Sequence, residues 1–285
     1  MTGMARPRLR VLRRIVQSPS LVAGALLLFA ICVLALGAPY FTHNDPLDMV
    51  GTPFTWPGTD PAFPLGTDMM GRDMFSGLAY GARVSLEIGV AAGLLATAVG
   101  LVIGAVAGFY GGLVDDVLMR AAELFQTMPA LLFTIVLVVV VQPNVSTIVL
   151  GVALTNWPQV ARLVRADALR VSRAEFVQAA TVIGMSRPRI VFTHVLPNVA
   201  TSAIVMLSIM AGNAILTEAV LSFLGLGDPN VITWGSMIGS GREALQTAWY
   251  MTALPGCAVL VTVLSLNLIG NGLNDLANPR RRRSL

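Results

Sequence analysis

The chain has 285 residues, 55% of them apolar and 12% charged, with a formal net charge of +4. Soluble domains carry roughly 25% charged residues, so this composition excludes a water-exposed globule and indicates an integral membrane protein. All 19 basic residues are arginine, which excludes a lysine-bearing phosphate loop and a lysine Schiff base, so any nucleotide that powers the protein binds to another chain.

Uncharged runs mark the expected spans in chain order. They cover residues 21–38, 88–114, 195–217 and 244–274. A further uncharged stretch between Glu123 and Arg162 is long enough for two spans, with a break at Gln142, Pro143 and Asn144. About 20 apolar residues cross a bilayer core, so the expected count is six. The first run is 18 residues long. That exceeds the roughly 7–15 residues of a signal-peptide core, and it reads as an uncleaved helix. With the N-terminus inside, 16 arginines fall on the inner side and three, Arg72, Arg83 and Arg242, on the outer side. This is the positive-inside pattern, and it requires an even number of spans. The basic charge is thus read as topology and lipid contact, with no nucleic-acid partner.

The chain divides into a basic N-terminus with the first span (1–38), an outer loop (39–81), a helical bundle (82–279) and a basic tail (280–285). The loop is rich in Pro, Gly and Asp and reads as irregular. In the second span, Gly100, Gly104, Gly108 and Gly112 recur every four residues, with Gly89 and Gly93 nearby. This spacing places small residues on one face for close helix packing. Pro129 and Pro158 are expected to kink the third and fourth spans. Cys32 and Cys257 lie in apolar runs and read as small buried hydrophobes, not as a disulfide or zinc framework. His43 and His194 have no nearby ligand partners in sequence, which argues against a metal site.

The inner connection from Arg162 to His194 is the most informative segment. Ser172 and Glu175 have capping-box spacing, so a helix is expected from Arg173. Phe176, Ala179, Ala180 and Ile183 would form its apolar face. Gly184 gives a stop, Ser186 and Pro188 a new start, and Pro197 opens the next span. Such a helix either lies on the lipid surface or docks in a groove on a soluble partner.

Three motifs carry a family resemblance. Gln178-Ala179-Ala180, then Gly184, then His194-Val195-Leu196-Pro197 resembles the EAA loop of binding-protein-dependent ABC transporter permeases. Gln178 stands where that family usually has glutamate; this keeps the shape and loses the charge. Gly66-Thr67-Asp68, Gly71-Arg72-Asp73 and the run through Arg83 resemble the outer motif of the dipeptide/oligopeptide/nickel group, C-type subunit. Glu218 with Leu221 through Gly225 and Gly227 resembles another segment of that group.

The resemblance implies an all-α polytopic fold with six transmembrane helices, both termini cytoplasmic and a coupling helix between spans 4 and 5. It implies half of an importer's translocation pathway in a bacterial or archaeal plasma membrane. The partners would be a second permease, two ATP-binding cassette ATPases, an extracytoplasmic substrate-binding protein and the bilayer. The solute would be a di- or oligopeptide, or alternatively nickel, glutathione or haem. No catalytic residue or cofactor is expected. Coupling to the ATPases falls on Arg173, Glu175, Phe176, Gln178, Ala179, Ala180, Gly184, His194, Leu196 and Pro197. Asp68, Arg72, Asp73 and Arg83 are expected to form salt bridges in the outer loop, or else to touch the binding protein. Glu218 is placed near the outer interface, hydrated or paired, with a gating or packing role alongside Gly225 and Gly227. A secondary transporter is disfavoured because the second to fourth spans contain no charged residue for ion coupling.

Overall fold

A computed structural model describes residues 18–42 and 44–277. The expectations for residues 1–17, His43 and residues 280–285 lie outside the described residues. Among the described residues there are ten α-helices: α1 Pro19–Phe41, α2 Met74–Tyr110, α3 Gly112–Thr127, α4 Ala130–Val141, α5 Val145–Ser172, α6 Glu175–Val182, α7 Arg187–Ile190, α8 Leu196–Phe223, α9 Trp234–Gly241 and α10 Tyr250–Ala277. Among the described residues, strand-type pairing is confined to one isolated bridge between Thr67 and Asp73.

Local chemistry explains most helix ends. Pro19 starts α1 at a position where its missing N–H costs nothing. Asp73 caps α2 by accepting bonds from the N–H groups of Phe75 and Ser76. This moves the start of α2 to Met74, inside the stretch read as outer loop, and makes α2 a 37-residue helix about 55 Å long. Its far end comes at Tyr110, because Gly111 and Gly112 both take positive φ. Gly112 therefore opens α3 and does not belong to the glycine stripe.

The rest of the stripe acts as expected, within the chain. A side-chain carbon added at Gly100 would lie 2.5 Å from Val160 Cβ, and one at Gly108 would lie 2.6 Å from the Arg165 carbonyl. Gly104 faces the Ala161 carbonyl at similarly close range. Further along α2, Gly89 and Gly93 meet Ile215 and Ala211 of α8. One helix thus seats α5 on one section and α8 on another, with backbones in near contact. Close packing of this kind replaces the hydrophobic driving force that is missing between helices in lipid.

Two expected breaks are present. At Pro129 the chain bends by 82° between α3 and α4. At residues 142–144 it breaks again, with Gln142 at positive φ and Asn144 capping α5. Pro158, by contrast, sits inside a continuous α5.

Four helical runs are long and apolar enough to cross a membrane: Pro19–Phe41, Met74–Tyr110, Arg187–Phe223 and Tyr250–Leu276. The bent pair α3 and α4 makes a fifth if it counts as one span. α5 has 28 residues, about 42 Å, which exceeds a bilayer core. Asn156, Gln159, Arg162 and Arg165 make it more polar than the others. Of the cysteines, Cys32 is half-buried and Cys257 is exposed, so the expectation that both are buried does not hold for Cys257.

Candidate functional site

The turn from α5 through α6 to α8 lies at the Tyr110 end of α2. It differs from the sequence expectation in two ways. First, no capping box forms. Ser172 still belongs to the last turn of α5, and its hydroxyl donates to the Leu169 carbonyl at 2.9 Å. Arg173 is the C-cap of α5, Ala174 precedes α6, and Glu175 is the first residue of α6.

Second, the buried face of α6 is Val177 and Ala180, which pack with Val164 and Ala168 of α5, Ile190 and Val195. Phe176, Ala179 and Ile183 of the expected face are exposed. A helix of eight residues can bury only a narrow i,i+3 pair against a larger neighbour. Phe176 is 46% exposed, Val182 86% and Ile183 83%, so α6 presents an apolar outer edge.

The stop at Gly184 holds. With φ +86°, it closes a Schellman turn in which Met185 N–H donates to the Ala180 carbonyl and Gly184 N–H to that of Thr181. Gln178 is exposed, and its amide donates to the Arg173 carbonyl at 3.3 Å. The Phe176 and His194 rings meet edge to face at 6.1 Å. Ser186 precedes α7, and a π turn at Val191–Val195 joins α7 to α8. Leu196 and Pro197 follow directly. Pro197 lacks an N–H and would crowd the carbonyl four residues back, so the widened turn lets the helix run on without a break.

The same end holds an ion pair that the sequence reading missed. Arg165 of α5 donates from Nε and from a terminal nitrogen to both carboxylate oxygens of buried Asp115, in the first turn of α3. The partners are 50 residues apart. Only the alternation of acids and arginines at this end hinted at the pairing. Arg120 lines an open cavity of about 430 Å³ with Asp116, Glu123 and Arg162, and forms no ion pair among the described residues.

The expected outer motif gathers at the other end of α2, but not through salt bridges. Asp68 accepts from the N–H groups of Met70 and Arg72, and Asp73 caps α2 while taking the Ser76 hydroxyl at 2.6 Å. Their charges are spent on backbone donors, so neither pairs with an arginine. Arg72 is half-buried with an Nε that has no partner among the described residues, and Arg83 is exposed on α2. Gly66 and Gly71 have positive φ and sit against the carbonyls of Thr55 and Gly51. Thr67 is fully buried, and the Tyr250 hydroxyl reaches the carbonyls of Thr67 at 2.8 Å and Thr55 at 3.0 Å. The loop is thereby pinned to the start of α10.

Glu218 is enclosed by protein. It is fully buried near the end of α8, with one oxygen accepting the Ser222 hydroxyl at 2.6 Å and the other unpartnered among the described residues. Gly225 at φ +82° closes a second Schellman turn, in which Leu226 N–H donates to the Leu221 carbonyl. Gly227 sits directly against Ser222, leaving no room for a side chain. Glu218 and Gly227 thus meet through Ser222, while Gly225 is exposed and shapes the turn between them.

Long apolar helices, close-packed glycine faces and a short helix held out at one end define a polytopic helical membrane protein. The model of the family described as binding-protein-dependent transport system inner membrane component matches residues 100–283, and the chain belongs to that family. It is 37% identical over 270 residues to a putative peptide transport system permease of Brucella suis, covering 94% of this chain and 90% of the relative. It is 34% identical over 269 residues to the di/tripeptide transport system permease DppC of Pseudomonas aeruginosa (92% and 89%). It is 34% identical over 265 residues to the oligopeptide transport system permease OppC of Bacillus subtilis (92% and 86%). Among solved structures, a chain of the MetNI methionine ABC transporter in an inward-facing conformation superposes with a TM-score of 0.57. That match covers 71% of this chain and 96% of the other, at 14% identity, and supports the fold.

Proposed function

We propose that this chain is the permease subunit of an ATP-binding-cassette importer for di- or oligopeptides. It forms half of the pathway with a homologous permease. Two ATPase subunits dock on α6 and the Gly184 turn, and an extracytoplasmic binding protein delivers solute at the end formed by residues 44–73. In this reading the spans are α1, α2, α3 with α4, α5, α7 with α8, and α10. Six spans place both termini in the cytoplasm, in agreement with the arginine count. Asp68, Asp73 and Thr67 shape the outer loop, while Glu218, Gly225 and Gly227 pack the outer end of α8.

One observation carries the docking role. α6 has a buried pair, Val177 and Ala180, that fixes it to α5, and with its C-cap Ile183 it presents apolar side chains, Phe176, Val182 and Ile183, that are largely exposed among the described residues. An amphipathic helix held out this way suits a groove on a partner. Peptides are the favoured solute because relatives similar over nearly the whole chain are named for them. Affinity purification from native membranes tests the assignment. The expected result is co-purification of two ATPase chains and a second permease. Recovery of the chain alone, importing solute without ATP, would overturn it.

A further inference from the structure

The Asp115–Arg165 pair does more than close a surface gap. It joins two elements with different tasks. α5 runs without interruption into the turn that carries α6. α3 is the first half of a span that bends by 82° before α4. The two helices also meet through Ala122 against Trp157 and Ala161, and Phe125 packs edge to face on Trp157 at 5.6 Å. Phe125 also reaches across the bend to Phe133 at 6.2 Å. This second contact lies near the bend, whereas the ion pair lies at the opposite end of α3.

α3 is therefore held to α5 at both ends, and α4 hangs from it past Pro129. A bidentate guanidinium–carboxylate fork fixes orientation as well as distance, unlike a single contact. Asp115 also sits in the first turn of α3, where the helix dipole favours its charge. Resting on the proposed function, we infer that Asp115 and Arg165 are positioning residues that transmit movement of α6 and α5 to the bent span. ATPase closure pushes α6, α5 moves with it, and the fork forces α3 to follow, so that the bend at Pro129 changes. Without the fork, α3 is held to α5 only near the bend, and less of the push reaches it.

The test uses the whole complex in lipid nanodiscs, with Cys32 and Cys257 replaced by serine. Spin labels are placed at Arg170→Cys, on the exposed end of α5, and Val140→Cys, on the exposed far part of α4. The label-to-label distance is measured without nucleotide and after trapping with ATP and vanadate, alongside ATP hydrolysis. The parent complex should show a clear shift. Asp115→Asn and Arg165→Gln should each lower the equilibrium ratio of shifted to unshifted distances by about 2- to 30-fold, the scale of coupling residues, while hydrolysis continues. The two changes together should do no more than either alone. A full shift in either variant, additive losses, or no shift in the parent would overturn the inference. If a neutral variant fails to assemble, Arg165→Lys carries the test: it keeps the charge and loses the fork, and an unaltered shift there contradicts the proposal. Absence of ATPase chains from the parent complex is a different failure, which removes the proposed function itself.

Discussion

At the residue scale, small side chains and satisfied polar groups decide what this fold tolerates. Gly104 faces the Ala161 carbonyl at a separation that leaves no room for a side chain. Gly104→Val should force α2 and α5 apart and destabilise the protein by about 1–3 kcal/mol, seen as a lower midpoint of thermal unfolding in detergent. An unchanged midpoint would mean that the helices separate without cost. Glu218 and Ser222 make a second test, because their hydrogen bond is fully enclosed. Glu218→Gln keeps an acceptor and should be nearly neutral. Glu218→Leu strands the Ser222 hydroxyl and should cost about 1–3 kcal/mol. Equal stability of the two variants would remove the hydrogen bond from the account.

At the element scale, the turn at Gly184 is the sharpest sequence-to-structure link. A β-branched residue at φ +86° pays the left-handed penalty, roughly 1–2 kcal/mol, and re-aims α7 relative to α6. Gly184→Val should therefore leave the chain in the membrane and lower transport more than ATP hydrolysis. Equal losses in both would place the effect in folding. Helix ends of this type are legible because their causes are local: Gly184, Pro129 and Asn144 each act within a few residues. The capping box was misread for the same reason. Ser172 and Glu175 have the right spacing, but α5 keeps its register through Ser172, and packing against α2 decides that. The inward face of α6 was also hidden, since Val177 is chosen over Phe176 by Val164 and Ala168, which are remote in sequence. Asp68 and Asp73 looked like ion-pair partners until the backbone N–H groups that claim them were in place.

For the whole molecule, composition separated membrane from water, and the arginine distribution gave an orientation that no single helix shows. The span count was less secure. Pro129 divides the expected third span into two helices at 82°, and α5 trades apolar character for close packing on the glycine face of α2. Residues 50 apart, Asp115 and Arg165, then tie these two irregular elements together. Such a pairing is a property of the assembled bundle.

The central claim is that α6 receives work from separate ATPases. Uptake of a labelled dipeptide into proteoliposomes holding the complete complex tests it most directly, with ATP supplied at the ATPase side. Uptake should require ATP in the parent complex. Deletion of Glu175–Val182 should abolish it and release the ATPases. ATP-driven uptake at the parent rate after that deletion would contradict the account.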